Sequence, residues 1–146
     1  MSQLKKIGER TLKFSIPPVI LDARSIVGPK EGEGPLGDTF DRVIDDMYFG
    51  EDSWEKAERK LIEEVIKMML EKNNLAPKDV DFLFSGDLLN QTITSNFAAS
   101  TLGIPYLGLY GACSTMLEGL VLASMVIDGG FAAKVTAATS SHYCTA

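Results

Sequence analysis

The stretch GLYGACSTMLEGL, residues 108–120, decides how this chain folds. An apolar run closes on Gly111-Ala112-Cys113, and a helical pattern begins at once. Met116, Leu117, Leu120, Val121, Ser124 and Ile127 recur on one side, as far as Gly129-Gly130. A short apolar run that hands directly to an amphipathic period is a strand feeding a helix. The turn between them sets Cys113 at a helix start, where free backbone N–H groups carry partial positive charge. Such a place activates a thiol, and it equally attracts a carboxylate or phosphate. Cys113 therefore reads as a nucleophile or an anion binder; without either role it would be a small buried hydrophobe.

Working outward, the same alternation repeats. VDFLFSGD predicts a buried strand over residues 80–84. LLNQTITSNFAASTLGIP predicts a loop, then a helix from about Thr94 or Ser95 to Gly103-Ile104-Pro105. YLGLYGA and AAKVTAAT predict two more buried strands. Strands alternating with helices imply right-handed parallel βαβ units in an α/β fold, with both sheet faces covered. Upstream, EDSWEKAERKLIEEVIKMMLEKNNL is the clearest helix, with Asp52 and Glu55 fitting a capping box and Ser53 a rival cap. Its apolar stripe is Trp54, Ala57, Leu61, Ile62, Val65, Met68 and Met69, with charges on the other face. Residues 19–23 form a β-like run that Pro17 and Pro18 confine to a strand start or sheet edge. GPKEGEGPLGD reads as a solvated loop.

The 146 residues suit one domain. A net charge of −6 argues against a nucleic-acid groove. No long uncharged apolar span suggests a membrane helix. The distribution of charge matters more than its total: after Asp87 only Glu118, Asp128 and Lys134 are charged. So charge-poor a stretch is either a near-continuous core or a face turned toward another layer or subunit. The chain is expected to be the N-terminal part of a longer protein or one half of an intimate assembly.

Ligand sites in open α/β sheets lie at the carboxyl ends of strands. SGDLLNQ brings Ser85, Asp87, Asn90 and Gln91 to that edge, and SSHYCTA brings Ser140, Ser141, His142 and Cys144. Three strand ends are expected to converge on Asp87, Cys113 and His142. Each has a plainer reading: Asp87 as a turn residue, His142 as a hydrogen-bonded structural histidine, Ser140 and Ser141 as backbone partners, Cys144 as structural.

GACSTMLEGLVLA resembles the nucleophile segment of ketoacyl synthases and thiolases, in which a cysteine after Gly-Ala starts a buried helix. FSGDLLNQ, GLYGACSTM, ATSSHYCTA and TLKFSIPPVILDARSIVGPKEGEGPLGDTFD resemble, in order, segments of the stage V sporulation protein AD family within the thiolase-like superfamily. The resemblance covers essentially the whole chain. It implies that residues 1–146 are the N-terminal domain of a thiolase-like fold: a mixed, mostly parallel sheet with covering helices, one half of a five-layered αβαβα arrangement whose C-terminal half is absent. It implies binding of dipicolinic acid (pyridine-2,6-dicarboxylate), alone or as its calcium chelate, for uptake into the developing endospore. It further implies no catalysis and no cofactor beyond Ca²⁺ carried with the ligand. Sister subunits of a spore membrane channel complex would be partners. A homodimer would form through residues 106–110, and the protein would lie in the cytoplasm or peripherally on the spore inner membrane.

In such a pocket the start at Cys113-Ser114-Thr115 would offer backbone N–H groups. His142 would donate to a carboxylate or stack on the ring, and Asn90, Ser140 and Ser141 would add neutral donors. Asp87 would bind accompanying Ca²⁺ or orient a donor. The rival is an acyl-transferring condensing enzyme with Cys113 as nucleophile. Thiolase-like enzymes draw their other catalytic groups largely from the second half, and His142 follows a different strand from the condensing histidine. A third reading is a structural subunit with a vestigial site.

Overall fold

The computed structural model describes residues 5–142; Cys144 lies outside them. The N-terminal third is mostly irregular. Strands β1 (Lys6–Ile7) and β2 (Thr11–Leu12) form a small antiparallel pair. β3 (Ile26–Val27), followed by a one-turn helix α1 (Pro29–Gly32), pairs in parallel with β4 (Arg42–Val43). Residues 19–23 are not a strand, contrary to the sequence reading. They run extended with no ladder partner among the described residues, and Val19, Ile20 and Leu21 stand exposed. β-branched composition favours a pleated surface only where a neighbour supplies hydrogen bonds and packing.

Helix α2 (Trp54–Lys72) starts where the sequence placed it. The cap is Ser53, whose side chain accepts the Lys56 amide at 3.3 Å; Asp52 pairs instead with the Lys56 ammonium. The helix buries Ala57, Ile62, Ile66 and Leu70. At its end Asn73 donates to Asp22 at 2.9 Å and to the Met69 carbonyl at 2.8 Å, fastening the extended segment to the helix.

The main sheet follows: β5 (Phe82–Asp87), helix α3 (Ile93–Leu102), β6 (Tyr106–Gly108), helix α4 (Thr115–Asp128) and β7 (Val135–Ser140). All three strands are parallel, in the order β6-β5-β7. β5 begins two residues later than the sequence reading and runs on to Asp87. A 3₁₀ turn over Pro77–Asp79 occupies the approach, and the Asp81 carboxylate takes the amides of Ala133 and Lys134. Helix α3 ends at Gly103 in the left-handed region, φ 68°, where glycine carries no Cβ penalty. β6 is short and its Leu107 is exposed, so it is an edge rather than the buried strand expected.

Alternation along β5 sorts the layers. Leu83 packs with Ile62, Ile66 and Leu70 of α2, with Ala98, Ala99 and Leu102 of α3, and with Ala138 of β7, forming the core. Phe84 faces the opposite way, toward α4, where a Cβ on Gly119 would meet Ala137 at 3.2 Å. That glycine lets α4 lie close on the sheet. Along the rest of α4, Met116, Leu117, Leu120, Val121 and Met125 are exposed, Leu122, Val126 and Ile127 are half-buried, and Ala123 is buried. The charge-poor stretch is therefore largely a surface and not continuous core.

Leu83 is fully enclosed. Leu83→Ala is expected to lower the unfolding free energy of this chain by about 2–5 kcal/mol, measured by denaturant titration.

Candidate functional site

Between β6 and α4 the chain does not pass straight from strand to helix. Ala112 sits at φ 50°, a left-handed conformation that costs a residue with a Cβ energy and that marks functional turns. It opens a 3₁₀ turn, Ala112–Ser114, and this turn holds Cys113 out to solvent. The turn is braced from within. The Gly111 amide donates to Thr115 Oγ1 at 3.1 Å, and Ser114 Oγ contacts the Gly111 carbonyl at 2.9 Å and Glu118 Oε1 at 2.6 Å. Beneath it, Gly86 of β5 gives the room: a Cβ there would run into the Leu109 carbonyl and Thr115. Glu118 in the first turn of α4 answers part of the positive end of the helix dipole.

The expected convergence holds for the strand ends but not for the side chains. β5, β6 and β7 do finish on one edge. Gly86 faces α4, so its neighbour Asp87 points to the α2–α3 side, away from Cys113. There Asp87 is buried, and its Oδ1 accepts the Ser95 amide at 2.8 Å and the Ser95 hydroxyl. Ser95 Oγ lies 3.0 Å from the Tyr106 hydroxyl, which reaches the Ser85 carbonyl at 3.2 Å. Burial raises the pKa of that tyrosine. Asp87 Oδ2 is sealed in without a hydrogen-bond partner. Of the two roles expected for Asp87, the geometry fits the acceptor that orients a donor, with Ser95 as the donor. Among the described residues no three or more His, Cys, Asp or Glu gather so as to hold a metal ion.

His142 is also buried. Its ring stacks on Trp54, with centroids 5.6 Å apart and planes at 19°, and its Nε2 lies 3.0 Å from the Met47 carbonyl. Ser140 Oγ gives its hydrogen bond inward, to Glu58 Oε1 at 2.7 Å. Of the candidate residues, Asn90, Gln91, Cys113, Ser114 and Ser141 are left at the surface of this edge. Next to Asn90, Gln91 and Thr92 both adopt positive φ, 51° and 79°, which turns the loop sharply into α3.

Glu58 is the residue the sequence reading missed. It was counted with the charged face of α2, yet it is wholly enclosed. Burial raises its carboxyl pKa, with the Ser140 hydrogen bond opposing. The signal was present: Trp54, Glu58, Ile62, Ile66 and Leu70 follow one another at steps of four, which is one helix face.

A groove of about 420 Å³ runs between residues 18–26, α2, α4 and the outer side of β7. Val65, Met69, Leu120 and Ile127 make it largely apolar; Ser140 and Ser141 line it, while Asp87, Cys113 and His142 do not.

Residues 8–146 match the family model described as stage V sporulation protein AD. The chain is 48% identical over 143 residues to stage V sporulation protein AD of Bacillus subtilis strain 168. The alignment covers 98% of this chain and 42% of that relative, so the chain spans less than half of the relative's length.

Two outcomes follow from this geometry. Iodoacetamide should label Cys113 in the folded chain without denaturant, as located by peptide mass spectrometry. Asp87→Ala should cost about 1–3 kcal/mol of stability, because it strands the buried Ser95 amide.

Proposed function

This chain belongs to the stage V sporulation protein AD family, and from that membership we propose that it forms the dipicolinic acid-binding edge of a non-catalytic, thiolase-like protein. Family membership implies a role in sporulation. The observation that carries the ligand reading is the strained Ala112 turn. It holds Cys113 and Ser114 in solvent at the start of α4, on the same sheet edge as Asn90 and Ser141. The Ser114 and Thr115 amides, expected to be free, are taken by the Gly111 and Ala112 carbonyls, so a small flat dicarboxylate meets the positive end of α4 there, with neutral side-chain donors around it. Glu118, bonded to Ser114, disfavours a bare dianion and favours the charge-compensated calcium chelate. Asp87 and His142 act beneath this surface as supports and not as ligand contacts.

The condensing-enzyme rival would draw its base from the second half and not from His142. A cysteine nucleophile needs a base within hydrogen-bond reach. The chain's single histidine is buried against Trp54 and occupied by the Met47 carbonyl.

The domain reading is part of the same proposal. α2 and α4 both overhang the outer side of β7 with no strand between them, and the groove there is apolar. In the full-length protein a following strand pairs with β7 in this slot, and the second half of the thiolase-like fold covers the exposed face of α4. A homodimer forms across the exposed β6 edge. Sister subunits of the spore channel complex hold the protein peripherally at the inner membrane; no described helix is long and apolar enough to cross it.

Titration of the full-length protein with dipicolinate by calorimetry, with and without calcium, tests this reading. Saturable binding, tighter with calcium and weakened about tenfold or more by Cys113→Phe, is expected. A stoichiometric acyl adduct on Cys113 with turnover of acyl-CoA would overturn it.

A further inference from the structure

Helix α2 touches the end of β7 at two points one turn apart. Glu58 accepts the Ser140 hydroxyl at 2.7 Å, and Trp54, four residues earlier on the same face, stacks on His142. Between the two anchors stands Ser141, which is exposed. The Met47 carbonyl, 3.0 Å from His142 Nε2, meets the same segment just before α2 begins. On the inner side the Leu88 amide reaches the Ser140 carbonyl at 3.3 Å, a long contact. Removing one of these contacts loosens residues 140–142 against α2.

We propose that Glu58 is a positioning residue. Its enclosed carboxyl group, acting with the Trp54–His142 stack, clamps residues 140–142 and so fixes Ser141 on the ligand-binding edge. This rests on the function proposed above for what Ser141 contacts, but not for the clamp itself.

The chemistry of Glu58 fits a clamp and not a charge. The residue has no exposed surface, forms no ion pair among the described residues, and its Oε2 has no hydrogen-bond partner. The titratable groups facing it are Asp87 from β5, which disfavours a second negative charge, and His142 from beyond β7, which favours one. Burial outweighs both and raises the carboxyl pKa.

The sign of the linkage is definite. The pKa is raised in the folded state, so as pH climbs above about 4.5 the unfolded chain releases this proton first. The folded protein then loses stability until the folded-state value is passed. Glutamine keeps the acceptor and the shape but has no proton to lose.

The test compares full-length parent, Glu58→Gln and Glu58→Ala proteins. Three readouts are taken: hydrogen exchange of residues 139–142, melting temperature against pH, and dipicolinate binding. Glu58→Ala should speed exchange at residues 139–142 about tenfold or more while residues 135–138 stay protected, the size expected from losing one buried hydrogen bond. Its dipicolinate affinity should fall by a similar factor. Glu58→Gln should restore both and flatten the fall of melting temperature above pH about 4.5. If Glu58→Ala fails to fold, the proposal stands or falls on Glu58→Gln. Fast exchange in Glu58→Gln, or an unchanged pH profile, overturns it. Parent-like exchange in Glu58→Ala also overturns it, whatever the ligand does. If the parent binds no dipicolinate while the exchange results hold, the ligand reading fails and the clamp remains.

Discussion

At the carboxyl end of β5 one carboxylate holds three elements in register. Asp87 takes the amide and hydroxyl of Ser95 from the first turn of α3, and Ser95 meets Tyr106 at the start of β6. A buried carboxylate is tolerated only where donors surround it, and losing them costs more than they contribute when present. The pairing of β6 with β5 and the entry of α3 are thereby tied to one side chain. The turn carrying Cys113 depends on the residue before it: Gly86 must lack a side chain so that Leu109 and Thr115 can cross the strand end. Adjacent positions of one strand thus build the two faces of the edge, supports on one and the exposed turn on the other.

This division changes what the edge can do. Placed together, a cysteine, a histidine and an aspartate would suggest nucleophilic chemistry. Placed on opposite faces, they leave a solvent-facing turn at the start of α4 above and a closed polar layer below. In that layer Asp87, Glu58, Ser140 and His142 are engaged with the protein itself. The arrangement suits holding an anion or its metal chelate at the turn, with the lower layer keeping the turn's neighbours in place.

The helices and the parallel strands were legible because their signals are local. Ser53, and Gly103 and Gly129-Gly130 as stops, act within a few residues, whereas the stripe drawn for α2 missed Ile66 and Leu70, which are buried while Leu61, Val65 and Met68 are not. Residues 19–23 were misread because strand formation needs a partner that lies elsewhere in the chain. The misplaced convergence had a similar cause. That Asp87 shares an edge with Cys113 follows from the βαβ pattern, but its facing α3 depends on whether Gly86 or Asp87 meets α4, a matter of one residue in register. Glu58 was readable in principle from its spacing with Trp54 and Ile62, but its charge hid it.

The central claim is that the exposed turn at the start of α4, and not the apolar groove beside β7, receives the ligand. A crystal structure of the full-length protein with dipicolinate and calcium tests this most directly. The account predicts ligand density within hydrogen-bonding distance of the Cys113–Ser114 backbone, with Asn90 or Ser141 beside it. Density in the groove lined by Val65 and Leu120, with the turn bare, would contradict it.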